Sequence, residues 1–146
     1  MTIALALLLV ASVPAASEPA ASKTVAAPAA DPLLEKCIKV SNGTNFEFQK
    51  CYGEALKRAD ERLNLVWKQA LSDVGGRDSE AGKSLVDEQR AWITFKEKAC
   101  GFYWTKEFGS MHRSIIGPSC ALDIIRARIG QLDEISSFFE AYRGEE

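Results

Sequence analysis

The sequence has a single histidine, His112, among its 146 residues, and no two of its cysteines are separated by only two residues. Zinc sites usually combine histidines with closely spaced cysteines, so this composition argues against a metal centre. The sequence also lacks a glycine-rich phosphate loop and a G-x-S-x-G turn. The adjacent acids Asp87-Glu88 and Asp133-Glu134 splay apart on helices, as solvated side chains do. We therefore expect a protein without catalytic residues, metal or cofactor, which is not an enzyme.

A basic patch is also missing, because the net charge is −2 at pH 7. Domains that bind nucleic acid need clustered Lys and Arg side chains for the phosphates, so we expect no nucleic-acid partner. No segment alternates apolar and polar residues for long enough to form a β-strand. The hydrophobic share of 47% and the charged share of 26% are ordinary for a soluble protein with one domain.

The N-terminal residues contain an apolar run from Ile3 to Val13, followed by small residues. This pattern predicts a secretory signal peptide over residues 1–17, although no basic residue precedes Lys23. The run is too short to span a bilayer. Residues 18–32 are rich in Ala and Pro without apolar periodicity, which predicts a disordered linker. We therefore expect a periplasmic or secreted protein, with no membrane insertion after removal of the signal.

Four cysteines follow the predicted signal, and an even number in an exported protein indicates disulfides. Cys37 and Cys51 flank a predicted turn, and Cys100 and Cys120 flank a loosely patterned stretch. Sequential pairing would join each of these loops to its flanking helices and would stabilise the fold by about 3 kcal/mol per crosslink. We expect this pairing, and the two other connectivities stay open because sequence alone does not determine them.

The first half of the domain carries recognisable helix signals. Residues 33–40 form a short apolar segment of two turns. Thr44 and Glu47 match the capping box that begins a helix, and apolar residues then recur every three or four positions as far as Ala70. The glycine pair at 75–76 predicts the end of this second helix.

The second half contains two further amphipathic segments. Leu85, Trp92 and Phe95 recur at helical spacing and predict a third helix that runs to about Lys106. Because this helix carries a large aromatic residue and a cysteine, we interpret it as a central strut against which the other helices pack. A fourth helix is predicted to begin at Pro118, since proline is favoured in the first turn.

These patterns predict an all-α domain over residues 33–143. Its expected architecture is a small antiparallel bundle of three long helices plus a short N-terminal helix, stapled by two disulfides. Consecutive helices should be antiparallel because their connections are short.

A few polar residues fall beside the apolar seams instead of on the solvated faces. Amides and Arg–carboxylate pairs at helix–helix seams usually satisfy one another and determine register. We interpret these residues as mostly structural, with partner binding as the alternative. They are Asp60, Asn64, Gln89, Arg90 and Arg126.

The stretch between Cys100 and Cys120 contains more aromatic and branched apolar residues than a surface loop needs. These side chains either cover the core or remain exposed as a contact surface, and the sequence leaves both interpretations open. Rigid aromatic and Arg side chains are the usual hot spots of protein interfaces. The candidate partner-binding residues are Trp104, Lys106, His112 and Arg113.

Several motifs follow one another in a fixed order along the domain. They are Cys51, Ala59-Asp60, Leu63-Asn64, Gln89-Arg90-Ala91-Trp92, Cys100, Gly109-Ser110, Cys120 and the ending from Arg126 to Leu132. With these motifs the sequence resembles the LprI-like family of small exported bacterial proteins, whose namesake is a lysozyme inhibitor. The resemblance covers residues 37–132 and departs from the family pattern at Trp67, where Tyr is usual, and at the pair Phe46 and Phe48.

The resemblance implies a helical, disulfide-bonded exported domain that inhibits lysozyme by protein–protein contact, with Trp92 as a further signature residue. We hypothesise that the 101–117 loop enters the enzyme cleft, where two carboxyl groups would attract Lys106, His112 or Arg113. The expected partner is lysozyme or another cell-envelope protein. The alternative function is a cell-envelope interaction module that uses the same surface without inhibiting lysozyme.

Overall fold

The computed structural model describes residues 31–144, and this part of the chain forms four α-helices and no β-strand. A 3-10 helix and a π-helical turn lie between the third and fourth of them. The elements are α1 (Pro32–Val40), α2 (Asn45–Asp73), α3 (Glu80–Ala99), the 3-10 helix (Gly101–Trp104), the π-turn (His112–Ile116) and α4 (Gly117–Arg143). The all-α prediction is confirmed. The predicted signal peptide at 1–17, and the predicted linker at 18–32 except for its last two residues, lie outside the described range.

The ends of α2 and α3 follow from local chemistry. Thr44 caps α2 in a complete capping box with Glu47, as the sequence predicts. Past the end of α2, Gly75 and Gly76 adopt φ values of +91° and +78°, in the left-handed region that favours glycine. A Cβ on Gly82, in the first turn of α3, would lie 1.8 Å from the Gly76 carbonyl oxygen, so only glycine fits there.

Helices α2 and α4 run parallel to each other and form the largest interface. Three polar contacts follow the same order along α2 and along the chain from Ser110 to the end of α4, and they show this direction: Asn45 with Ser110, Arg62 with Asp133, and Asp73 with Arg143. Helix α3 connects them and is antiparallel to both, so consecutive long helices are antiparallel as predicted. The core between them consists of Leu63, Val66, Ala70, Leu71, Val74, Leu85, Ile125 and Leu132.

The prediction that α3 is a central strut is wrong. Gly82 and Leu85 are its only buried residues, and the side chain of Phe95 is 57% exposed although it lies on the predicted apolar stripe. Helices α2 and α4 supply most of the core. Helix α3 packs against them through its N-terminal end and its middle, from Ala81 to Trp92. Apolar periodicity shows that a helix has one buried face, but it does not show which helix lies at the centre.

The third helix is shorter and the fourth begins earlier than the sequence predicts. Helix α3 ends at Ala99, and the chain is helical again from Ser110, eight residues before Pro118. Pro118 lacks an N–H group, and in a regular helix its ring would clash with the carbonyl of Ser114. The π-turn widens the helix at this point, and the Gly117 N–H instead donates to the His112 carbonyl.

Both predicted disulfide pairs are confirmed. Cys37 bonds to Cys51 and Cys100 to Cys120, with Cα–Cα distances of 5.7 and 5.9 Å. The first bond attaches α1 to α2, where Leu34 enters a small core cluster with Ala55 and Leu122. The second joins the end of α3 to the first turn of α4 and so closes the aromatic stretch between them.

Candidate functional site

The signature amide Gln89 belongs to a cluster of hydrogen bonds between α3 and α4 that surrounds one buried side chain. We call this cluster the clamp. At its centre is Arg128, which is only 1% exposed. The Arg128 Nε donates to Gln89 Oε1 at 2.9 Å, and Nη1 donates to Glu88 Oε1 at 2.5 Å and to Gln131 Oε1 at 2.6 Å. A buried guanidinium is tolerated only when most of its donors are satisfied. These contacts therefore explain why α3 packs on α4 where Glu88 and Gln89 face Arg128.

Trp92, the signature aromatic, covers the same clamp. Its ring centroid lies 6.0 Å from the guanidinium carbon of Arg128 and 5.5 Å from the Lys96 ammonium nitrogen. Lys96 also lies 3.8 Å from a carboxylate oxygen of Asp60 on α2. Cations near a Trp ring are attracted by its π-electrons, so this ring connects both charged contacts. Asp60, Gln89 and Trp92 therefore meet in one network that joins the three long helices.

The other three signature residues lie apart from the clamp. Asn64 is exposed on α2, and Arg90 points into solvent, where it pairs with Asp87 at 3.0 Å. Arg126 lies on a different face of α4 and is 3.7 Å from Asp31. The structure thus separates the predicted polar set into a clamp, two exposed side chains and one ion pair near α1.

Sequence reasoning missed Arg128 and selected Arg126 two residues earlier. A signal for Arg128 is present, because it lies three residues after Ile125 and four before Leu132, and both are fully buried. A charged residue in the middle of an apolar stripe needs buried partners. Two of its three partners come from α3, about forty residues away, and only the folded chain identifies them.

Asp31 ties α1 to the bundle. Its carboxylate accepts from the backbone N–H groups of Leu33 and Leu34 and from Arg58, whose Nη2 lies 3.0 Å away. Burial acts to raise the pKa of Asp31, but the hydrogen bonds from Leu34 and Arg58 and the charge of Arg58 together lower it below its ordinary value of 3.8. Asp31 and Pro32, placed in the linker from sequence, are thus the cap and the first residue of α1.

The stabilisation that Asp31 provides depends on its charge. Since the folded-state pKa is lowered, this stabilisation is complete above pH 3.8 and is lost as the pH falls through the folded-state value. We expect Asp31→Asn, which keeps the cap but removes the charge, to cost about 1 kcal/mol at pH 7 and less at pH 2, where more of the folded-state carboxylate is protonated. Urea denaturation of both proteins at the two pH values tests this. An equal cost at both values would contradict a role for the charge.

Aromatic side chains cluster at the end of the bundle where α3 stops. The rings of Phe102 and Phe108 lie 4.8 Å apart in an edge-to-face arrangement, and Phe108 lies 4.7 Å from the His112 ring. Tyr103 completes the cluster beside Phe102. His112 is therefore half-buried against Phe108, whereas Phe102 is 63% exposed. The stretch both covers the core and leaves apolar surface in solvent.

Trp104 lies beside this cluster against the start of α4. A Cβ on Gly117 would come within 3.0 Å of the Trp104 ring, so the missing side chain is what lets the indole approach the helix. The other side of Trp104 remains open, and the residue is 50% exposed. Lys106 and Arg113 are also exposed, and neither forms an ion pair with any residue of the described range.

The described residues contain no group of three or more His, Cys, Asp or Glu side chains that could hold a metal ion. An open depression of about 370 Å³ lies beside Val86 and is otherwise lined by charged side chains of the α2–α3 turn and α3. None of the helices in residues 31–144 is long and apolar enough to cross a membrane.

The fold and the site together define a small all-helical domain that is crosslinked by two disulfides, a bond type typical of proteins outside the cytoplasm. The family model described as lysozyme inhibitor LprI matches residues 37–132, so the chain belongs to the LprI family. No match was found among curated proteins or among solved structures.

Proposed function

We propose that this protein is exported, binds a lysozyme and inhibits it by placing the 101–117 loop in the enzyme cleft. The observation that carries this proposal is an exposed aromatic and cationic loop, held by the Cys100–Cys120 bond, in a member of a family named for lysozyme inhibition. Inhibition by contact requires no catalytic group on the inhibitor. The predicted signal peptide at 1–17 would deliver the protein to the compartment where lysozyme acts.

The charges of the loop suit such a cleft. Glycoside hydrolases that cleave cell-wall glycan use a pair of carboxyl groups that flank the scissile bond. Lys106 and Arg113 are exposed and have no acidic partner among the described residues, so their charges remain available to an anionic site. Arg113 can donate two parallel hydrogen bonds to one carboxylate, which makes it the better of the two for this role.

The rigidity of the loop favours tight binding. Its ends are held by the disulfide, Trp104 rests on Gly117, and the Ser110 hydroxyl accepts from the Asn45 side chain at 2.8 Å. A loop that is ordered before it binds loses less conformational entropy on association. The half-exposed indole can therefore act as an aromatic anchor in an apolar part of the cleft.

Alanine substitution in the loop tests the proposal. We expect Trp104→Ala and Arg113→Ala each to weaken inhibition about 30-fold, because loss of a hot-spot side chain costs about 2 kcal/mol. The measurement is hydrolysis of cell-wall substrate by c-type, g-type and i-type lysozymes over a range of inhibitor concentrations. Leu65→Ala and Arg90→Ala, at exposed positions on the helical faces, serve as controls and should inhibit like the wild type.

Two outcomes would contradict the proposal in different ways. Unchanged inhibition by folded Trp104→Ala and Arg113→Ala proteins would show that the loop is not the inhibitory surface. Absence of inhibition by the wild type against every lysozyme type would reject the inhibitor function. The cell-envelope interaction module would then be the better hypothesis.

A further inference from the structure

We propose that the contact surface extends from the 101–117 loop onto the start of α2, with Phe46 as a second anchor, and that its occupant is an acidic cleft on the partner protein. This inference rests on the proposed function and specifies the surface and the chemistry of the partner. Phe46 is strongly exposed and lies outside the loop on which the proposed function rests. It belongs to none of the networks described above.

The start of α2 and the loop lie at the same end of the bundle. Asn45, the first residue of α2, donates to Ser110 at 2.8 Å, and the π-turn that follows packs against α2. Phe46 and Met111 are the next residues after this hydrogen-bonded pair. Both segments can therefore contact one partner at the same time.

Exposed apolar side chains are concentrated at this end, which we call the loop end. Phe46 is 77% exposed, the highest value among the large apolar residues of the described range. Monomeric proteins rarely expose several large apolar side chains next to one another unless they bind something there. The exposed members at the loop end are Val40, Phe46, Phe95, Phe102, Trp104 and Met111, whereas Phe138 and Tyr142 are exposed at the opposite end.

The backbone that carries Phe46 is ordered, although the side chain contributes little to the core. The Glu47 carboxylate next to it accepts from the Asn42 backbone at 2.8 Å and the Asn42 side chain at 3.1 Å, and it closes the capping box with Thr44. These bonds order the first turn of α2 before any partner arrives. An exposed aromatic side chain on a backbone that is ordered before binding is of the type that contributes most to binding energy at interfaces.

The charge of the loop end indicates an acidic partner. Residues 36–50 and 95–115 contain seven Lys and Arg against three Glu, a net charge of +4. The rest of the described chain contains ten Lys and Arg against fourteen Asp and Glu, a net charge of −4. A second copy docked through the same end would bring two positive surfaces together, which is unfavourable. A cleft with catalytic carboxyl groups has the complementary sign.

The experiment compares matched variants of the purified, oxidised protein. Their affinities for c-type, g-type and i-type lysozymes are measured by calorimetry at two salt concentrations. We expect Phe46→Ala to weaken binding at least tenfold and Phe138→Ala, an exposed phenylalanine at the other end, to change it less than twofold. Lys50→Glu should weaken binding and reduce its salt dependence. Lys68→Glu, near the other end of the same helix, should do neither.

The possible failures are distinguishable. If the wild type binds lysozyme and Phe46→Ala binds equally well, the extended surface is wrong while the proposed function stands. If the wild type binds none of the lysozymes, the proposed function is wrong and this inference with it. If sedimentation shows a wild-type dimer that Phe46→Ala converts to a monomer, a second copy occupies the surface and the acidic-cleft assignment is overturned.

Discussion

Replacement of Arg128 by alanine is expected to lower the free energy of unfolding by about 3 kcal/mol. The change removes three hydrogen bonds of a charged donor, to Gln89, Glu88 and Gln131, and leaves a cavity beside Trp92. Glu88 is 48% exposed and can turn towards water, which limits the loss. The measurement is urea denaturation followed by circular dichroism.

Two further variants separate the causes of this loss. Arg128→Met keeps most of the aliphatic volume without the charge, and we expect it to cost about half as much as Arg128→Ala. Arg90→Ala removes an Arg from the exposed side of the same signature motif and should change stability by less than about 0.5 kcal/mol. An Arg128→Ala protein as stable as the Arg90→Ala protein would contradict the clamp.

Replacement of both Cys100 and Cys120 by serine is expected to reduce stability by about 3 kcal/mol and to abolish most of the inhibition. The stability loss follows from the entropy that the unfolded chain regains when a loop of this length is opened. The functional loss follows because the disulfide joins α3 to α4 at the two ends of the aromatic loop. A loop that is no longer ordered in advance has to be ordered on binding.

The other disulfide provides the matched control. Replacement of Cys37 and Cys51 by serine opens a loop of similar length and should cost a similar free energy of unfolding. This bond lies beside the start of α2 and does not hold the 101–117 loop, so the folded fraction of the variant should lose less inhibition than the Cys100 and Cys120 double variant. Both proteins are compared by urea denaturation and by lysozyme inhibition at 10 °C. Equal inhibition by the two double variants, corrected for the folded fraction, would show that the Cys100–Cys120 bond has no special role in binding.

Local signals allowed most element boundaries of the first half to be predicted. The capping box at Thr44 and the glycines at 75 and 76 act within a few residues of themselves, and the structure has helix ends at both places. The pairing of the cysteines was also predictable in outline, because each pair closes a short loop. The π-turn was not, since it results from the conflict between Pro118 and a helix that arrives from Ser110.

The candidate site was only partly predictable. The aromatic loop stands out in the sequence, but the division of its side chains into packed and exposed ones, such as His112 against Phe102, depends on neighbours from other helices. The sequence analysis assigned Phe46 no role in binding, because the amphipathic pattern of α2 explains its neighbours and leaves it as an exposed residue. Its place at the loop end becomes visible only through the contact between Asn45 and Ser110.

The sequence by itself determined that this protein is all-helical, doubly crosslinked and similar to the LprI family, because periodicity, caps and cysteine spacing act over short distances. Only the tertiary structure decided that α2 and α4 form the centre and that Arg128 occupies the clamp between α3 and α4. Those choices depend on side chains that lie far apart in the chain, such as Arg128 and Gln89, which are 39 residues apart. A helix with one apolar face can pack at the centre or at the periphery, and the free energy of the whole bundle selects between them.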